Sequence, residues 1–133
     1  MKRRLGFGLA VLLMASFASA SAKRDWLAGV PAKERERVNP MAGSDGAVAA
    51  GEILFRRSCA SCHGEDARGL GNHPNLHTER IKRATDGELH WLLTNGNLGA
   101  GMPSWSRLPD AQRWQLTRYL HSLEVAGGTV EGR

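Results

Sequence analysis

The stretch "CASCH", residues 59–63, holds both cysteines of this 133-residue chain and places a histidine directly after the second one. Two cysteines separated by two residues and followed by histidine have the spacing of covalent c-type haem attachment. In that chemistry each thiol adds across a vinyl group of the porphyrin, and the neighbouring imidazole is held beneath the iron. We therefore expect Cys59 and Cys62 to bind one haem c covalently and His63 to be an axial ligand of its iron.

Three other uses of the two thiols are less favoured. A thioredoxin-like redox disulfide expects a βαβ context, which this sequence does not supply. A structural disulfide between residues so close in sequence closes a very small loop and stabilises little. A zinc site needs two further ligands, for which His73 and His77 are the candidates.

The second axial ligand is expected from the segment "GNLGAGMPSW", which contains Met102. Gly99 and Gly101 permit close backbone approach and unusual dihedral angles, and Pro103 stiffens the chain that aims the thioether. Histidine and methionine together are a recognised pair of haem ligands. His73 is the main rival, whereas His90 and His121 lie on predicted helices and are expected at the surface.

The first 22 residues have the pattern of a secretory signal peptide. A basic start precedes an apolar run from about Leu5 to Phe17, and small residues offer cleavage after Ala20 or Ala22. The run is shorter than the roughly 20 apolar residues that a membrane-spanning helix needs. Cleavage would lower the formal net charge from +5 to +2, so nucleic acid is not an expected partner.

The remaining chain divides into three parts by composition. Residues 23–44 mix charges with two prolines and predict an extended N-terminal arm, which Trp26 would attach to the domain. Residues 45–126 form the predicted domain, and residues 127–133 form a flexible tail.

Spacing predicts three helices in the domain and no strand. The first follows Ser44 and places Val48, Gly51, Phe55 and Cys59 on one stripe. The second opens with Thr85 and Glu88 in a capping box, carries Leu89, Leu92 and Leu93, and stops at Asn95 and Gly96. The third begins near Pro109 and aligns Leu116, Tyr119, Leu120 and Leu123. Glycine-rich loops at 64–84 and 96–108 join them, which predicts an all-α domain with long functional loops.

The segments "GEILFRRSCASCHG", "GMPSW" and "RWQLTRYLHSL" resemble a small bacterial single-haem class I cytochrome c. The resemblance covers about residues 45–124. It implies three to five helices wrapped around one haem, with His63 and Met102 as axial ligands. It also implies that the first and last helices cross through Gly51, Phe55 and an aromatic residue such as Tyr119, and that the carbonyl of Pro74 binds the other ring nitrogen of His63.

These expectations predict a periplasmic, monomeric electron carrier rather than an enzyme. With both axial positions filled, the iron has no open site for a substrate, so one-electron transfer remains. The donor would be a periplasmic dehydrogenase or a quinol-oxidising complex, and the acceptor an oxidase or a reductase. The alternatives are a haem enzyme or gas sensor with a labile sixth position, and a cytochrome subunit of a dehydrogenase. Candidate partners of the haem propionates are Trp91, Trp105, Arg68, Arg80 and Arg107.

Overall fold

Residues 25–125 are described by the computed structural model, and they contain six α-helices and no strand. The predicted signal peptide (1–22) and tail (127–133) lie outside these residues. The all-α prediction is confirmed, with more helices than the three to five expected because three helices of four or five residues join the three long ones. The helices are α1 Ala32–Arg35, α2 Asp45–Ser58, α3 Ala60–His63, α4 Glu79–Arg83, α5 Asp86–Asn95 and α6 Asp110–Ser122. Within the described range no helix is long and apolar enough to cross a membrane.

Each of the three long helices begins directly after the residue that the sequence indicated as its start. The hydroxyl of Ser44 accepts a hydrogen bond from the amide of Ala47 at 3.1 Å, which caps α2. Thr85 and Glu88 form a reciprocal capping box at the start of α5. Pro109 directly precedes α6. Local signals therefore fix the start of each long helix.

Helices α2 and α6 cross at Gly51, as the resemblance implied. A Cβ atom at Gly51 would overlap the backbone of Gln115 and would lie 2.8 Å from the Cβ atom of Tyr119. One turn further along, the rings of Phe55 and Tyr119 meet at 5.2 Å between centroids. The crossing therefore depends on a residue without a side chain.

The N-terminal segment, residues 25–44, differs from the extended arm that we predicted. It folds into turns and the short helix α1, and it buries Leu27 and Val30 at 0% and 4% exposure. The guanidinium of Arg35 donates to the carbonyls of Leu27 and Val30 and to the buried carboxylate of Glu88 in α5. The segment contributes to the core because these hydrogen bonds hold its turns against α5.

The expectation that His90 lies at the surface is wrong. Its side chain is 3% exposed and stacks on the ring of Trp114 at 3.9 Å. Its Nε2 atom lies 2.9 Å from the carboxylate of Asp110, and its Nδ1 atom lies 3.3 Å from the guanidinium of Arg37. Since Arg37 can only donate, Nδ1 accepts and Nε2 donates to Asp110, which describes a neutral imidazole. Burial lowers the pKa of His90, and Arg37 and Arg113 lower it further.

Candidate haem site

One cavity of about 540 Å³ brings together all four residues that the sequence singled out: Cys59, Cys62, His63 and Met102. Its volume lies within the range of small-molecule and cofactor sites, roughly 300–1,000 Å³. Most of its wall is apolar, and this part comes from α2, α4, α5 and α6. The aliphatic and aromatic side chains of that wall include Phe55, Ile81, Leu92, Leu93, Leu116 and Leu120.

The two cysteines and His63 are placed by the junction of α2 and α3. Cys59 lies between α2 and α3, and its carbonyl accepts from the amides of Cys62 and His63 at 3.1 and 2.9 Å. A single helical turn therefore places both sulfur atoms and the imidazole on the cavity wall.

The orientation of His63 is set by the loop that follows it. Its Nδ1 atom lies 3.0 Å from the carbonyl oxygen of Pro74, the hydrogen bond that the resemblance implied. A carbonyl can only accept, so Nδ1 carries the proton and Nε2 keeps a free lone pair. A hydrogen bond of this kind, from the ring nitrogen that does not bind the metal, fixes the ring and raises the basicity of the ligating nitrogen.

Met102 is held by a tight loop between α5 and α6. Asn97 and Met102 form a reciprocal pair of backbone hydrogen bonds of 2.9 and 3.1 Å, with a 3-10 turn at Leu98–Ala100 between them. Gly101 closes the turn with a φ of 83°, which favours glycine. We expected close backbone approach at Gly99 and Gly101, but a Cβ atom added at either would contact nothing within 4 Å. The close approach occurs instead at Gly96, where an added Cβ atom would lie 2.7 Å from the carbonyl oxygen of Met102.

His73, the rival ligand, also lines the cavity. It is exposed, its Nδ1 atom lies 3.1 Å from the carbonyl oxygen of Leu70, and its ring lies 6.4 Å from that of His63. His73 and Met102 therefore both remain candidates for the second axial position.

The redox-disulfide and zinc alternatives fit the site poorly. Burial, with a smaller contribution from Cys62, raises the pKa of the Cys59 thiol to about 11, so the thiolate that disulfide exchange needs is scarce at neutral pH. Both ring nitrogens of His77 are already engaged, at 2.6 Å from the carbonyl of Glu124 and 2.7 Å from that of Asp66. Within residues 25–125 no group of three or more His, Cys, Asp or Glu side chains is arranged to hold a metal ion.

Two of the five candidate propionate partners line the cavity, namely Arg80 and Trp105. The other three do not line it: Arg68 pairs with Asp66 at 3.6 Å, the guanidinium of Arg107 lies 4.3 Å from the centre of the Trp105 ring, and Trp91 is half-buried. Trp26 of the N-terminal segment is a further lining residue that sequence reasoning assigned only to attachment of the arm. A lone tryptophan outside any periodic pattern gives no signal of a role in a site.

The donor set and the shape of the cavity fit a haem. Two adjacent thiols, a nitrogen with a free lone pair and a thioether share one apolar enclosure. Its wall includes a cation that suits the carboxylates of a porphyrin.

Comparison with known proteins agrees with this geometry. Residues 46–120 match a family described as "Cytochrome C oxidase, cbb3-type, subunit III". The chain belongs to this family. The predicted single-haem c-type cytochrome and its covalent haem c are thereby confirmed at the level of the family.

Individual relatives support the same assignment. The chain is 52% identical to cytochrome c-554(547) of Halothiobacillus neapolitanus, over 59% of this chain and 99% of that protein. It is 35% identical to the cbb3-type cytochrome c oxidase subunit CcoP of Rhodobacter capsulatus, over 65% of this chain and 33% of that one. The chain thus spans about a third of the length of that CcoP subunit.

The fold also resembles that of solved cytochromes. Cytochrome cL of Methylophaga aminisulfidivorans superposes with a TM-score of 0.57 at 26% identity, over 65% of this chain and 59% of that one.

Proposed function

We propose that this chain is an exported single-haem electron carrier in which His63 and Met102 are the axial ligands. The observation that carries this proposal is the convergence of Cys59, Cys62, His63 and Met102 on one apolar cavity. When bound, the haem supplies a one-electron iron couple, and the side chains of this chain set its position and its potential.

The residues around the cavity favour a high reduction potential. A thioether is a weak donor that stabilises ferrous iron relative to a second imidazole. Leu92, Leu93, Leu116 and Leu120 make the cavity wall apolar, which would keep water away from a bound haem iron. Since the ferric centre carries the extra charge, a low-polarity surrounding disfavours it.

The export pattern at residues 1–22 supports a periplasmic location, where a c-type cytochrome meets redox partners. We propose a periplasmic dehydrogenase or a quinol-oxidising complex as the donor. The family relatives that are named as cbb3-type oxidase subunits support a terminal oxidase as the acceptor.

The proposal is tested on the protein matured in a host that attaches c-type haem. We expect one covalent haem by intact mass and full, reversible reduction by a mild donor. We also expect slow or weak binding of carbon monoxide and cyanide, because His63 and Met102 would occupy both axial positions. A polypeptide without the added mass would refute the haem site, and rapid binding of both ligands would instead support an enzyme or a sensor.

Association with a larger dehydrogenase is tested separately. The full chain is purified from its native host under mild conditions, and the material is searched for an associated dehydrogenase. A dehydrogenase that stays bound through size-exclusion chromatography would make this protein a subunit rather than a free carrier.

A further inference from the structure

The N-terminal segment approaches the haem cavity at one place, through Asp25, Trp26 and Arg80. Trp26 and Arg80 both line the cavity, although Trp26 precedes the residues that match the family, 46–120. Arg80 lies in α4, which follows the loop that carries Pro74. The wall of the cavity is thus completed by a segment outside the recognised domain.

Arg80 is held by both neighbours. Its Nη2 atom donates to both carboxylate oxygens of Asp25, at 2.9 and 3.0 Å. Its guanidinium lies 5.5 Å from the centre of the Trp26 ring, which is within the range of a cation–π contact. The position of the Arg80 side chain is therefore set by two different contacts, the hydrogen bonds to Asp25 and the contact with the Trp26 ring.

The neighbouring turns are themselves fixed to the domain. Asp25 accepts from the amide of Leu27 at 3.1 Å, and Leu27 is fully buried. Arg35 fixes the carbonyls of Leu27 and Val30 and reaches Glu88 at 2.7 Å. Residues 25–30 are therefore an anchored strap rather than a loose terminus.

Arg80 is also the single permanently charged side chain on the cavity wall within the described part of the chain. A haem carries two carboxylates, and in a mostly apolar enclosure a carboxylate requires a cationic or strongly donating partner. A guanidinium keeps several donors after Nη2 has bound Asp25, so it can serve both groups.

We propose that residues 25–30 form a strap that closes the haem cavity and, through Asp25 and Trp26, positions Arg80 to bind a haem propionate. This inference rests on the proposed haem site. The strap thereby makes the N-terminal segment a determinant of the reduction potential. Asp25 and Trp26 are positioning residues, since they act through Arg80.

The first test compares Arg80→Gln with Arg83→Gln in the matured holoprotein. Both changes remove one arginine from α4, but Arg83 is exposed and pairs with Glu79 away from the cavity. We expect Arg80→Gln to lower the reduction potential clearly, because a cation near the iron disfavours the ferric state. Arg80→Lys should recover part of the shift, and Arg83→Gln should give little change. Equal shifts in Arg80→Gln and Arg83→Gln would overturn the assignment of Arg80.

The second test addresses the strap. We expect Trp26→Ala to lower the potential in the same direction, since it frees Arg80 and admits water, while Trp26→Phe stays near the wild type. A potential unchanged in Trp26→Ala would overturn the closing role of the strap.

A double-mutant cycle tests whether Asp25 acts through Arg80. The shift caused by Asp25→Asn should differ between the wild-type and Arg80→Gln backgrounds. Identical shifts would show that Asp25 acts only through its own charge. In all variants, intact mass and the reduced spectrum report the covalent haem, so loss of the haem is distinguished from failure of the strap.

Discussion

At the residue scale, the second axial position is the assignment with the clearest spectroscopic consequence. Replacing Met102 by Ala removes the thioether, so we expect loss of the long-wavelength sulfur-to-iron absorption of the ferric protein. The reduction potential should also fall, by a substantial part of the ~0.8 V range over which axial ligands set haem potentials. Visible spectroscopy and a redox titration measure both effects.

Met41→Ala is the matched control, because Met41 is half-buried and does not line the cavity. It should leave the spectrum and the potential unchanged. If Met102→Ala kept the wild-type spectrum while His73→Ala altered it, His73 would be the ligand.

His90 gives a prediction about acid stability. Burial lowers its pKa below the ordinary value of 6.5, and Arg37 and Arg113 act in the same direction against Asp110. Between the ordinary pKa of His90 in the unfolded chain and its lowered pKa in the folded protein, the unfolded chain binds more protons than the folded chain. The stability that the neutral, buried imidazole contributes is therefore complete above about pH 6.5. It is lost as the pH falls through the lowered pKa of the folded protein.

Urea unfolding of the holoprotein across this pH range measures the effect. The wild type should lose free energy of unfolding on acidification, and His90→Gln should lose less, because a glutamine keeps one donor and one acceptor without titrating. The haem absorption at each pH checks that the ligands stay in place. Parallel pH profiles in the two proteins would contradict the role of His90.

At the scale of the elements, the crossing of α2 and α6 carries the main structural prediction. A side chain at Gly51 would meet the backbone of Gln115 and the Cβ of Tyr119. Since both groups belong to α6, neither can move away from α2 without separating the two helices. We expect Gly51→Val to lower the free energy of unfolding by about 1–3 kcal/mol, the usual range for overpacking, and to disturb the contact of Phe55 with Tyr119.

Gly46 provides the control on the same helix. It is exposed, and an added Cβ there would meet only the hydroxyl oxygen of Ser44 at 3.8 Å. Gly46→Ala should leave stability unchanged or raise it by up to ~1 kcal/mol through helix propensity. Urea unfolding followed by far-ultraviolet circular dichroism compares the two. A neutral Gly51→Val would show that the helices are not held at this point.

The elements also show what could be predicted from sequence. The three long helices have local signals, namely the Ser44 cap, the capping box at Thr85 and Pro109 before α6, so they were predicted correctly. Helices α1, α3 and α4 have only four or five residues, and too few turns to show a periodic apolar pattern.

The burial of His90 could not be predicted for a different reason. Its partners Arg37 and Asp110 lie 53 and 20 residues away in sequence. The same holds for the strap. Arg35, which binds carbonyls of the strap, contacts Glu88, and these two residues lie 53 positions apart in sequence. For the site, the spacing of "CASCH" is enough to identify its chemistry, whereas the choice of Arg80 over Arg68 and Arg107 depends on which side chain reaches the cavity.

At the scale of the whole molecule, the cavity sits where a hydrophobic core would otherwise be. Phe55, Leu92, Leu93, Leu116 and Leu120 belong to the core and also line the cavity. With no group between them, the apolar side chains of that wall would face water in an open cleft of about 540 Å³ instead of packing against one another. Folding should therefore depend on the bound haem.

Replacing both Cys59 and Cys62 by Ser tests this dependence. Without the thioether bonds, we expect little retained haem, weak helical circular dichroism and no cooperative urea transition, because apolar walls from four helices would face water. Changing Ser58 and Ser61 to Ala is the matched control, since these residues also line the cavity but carry no thiol, and this variant should mature and unfold like the wild type. A doubly substituted cysteine variant that is free of haem, fully helical and cooperatively unfolding would show that the six helices are held by their own contacts.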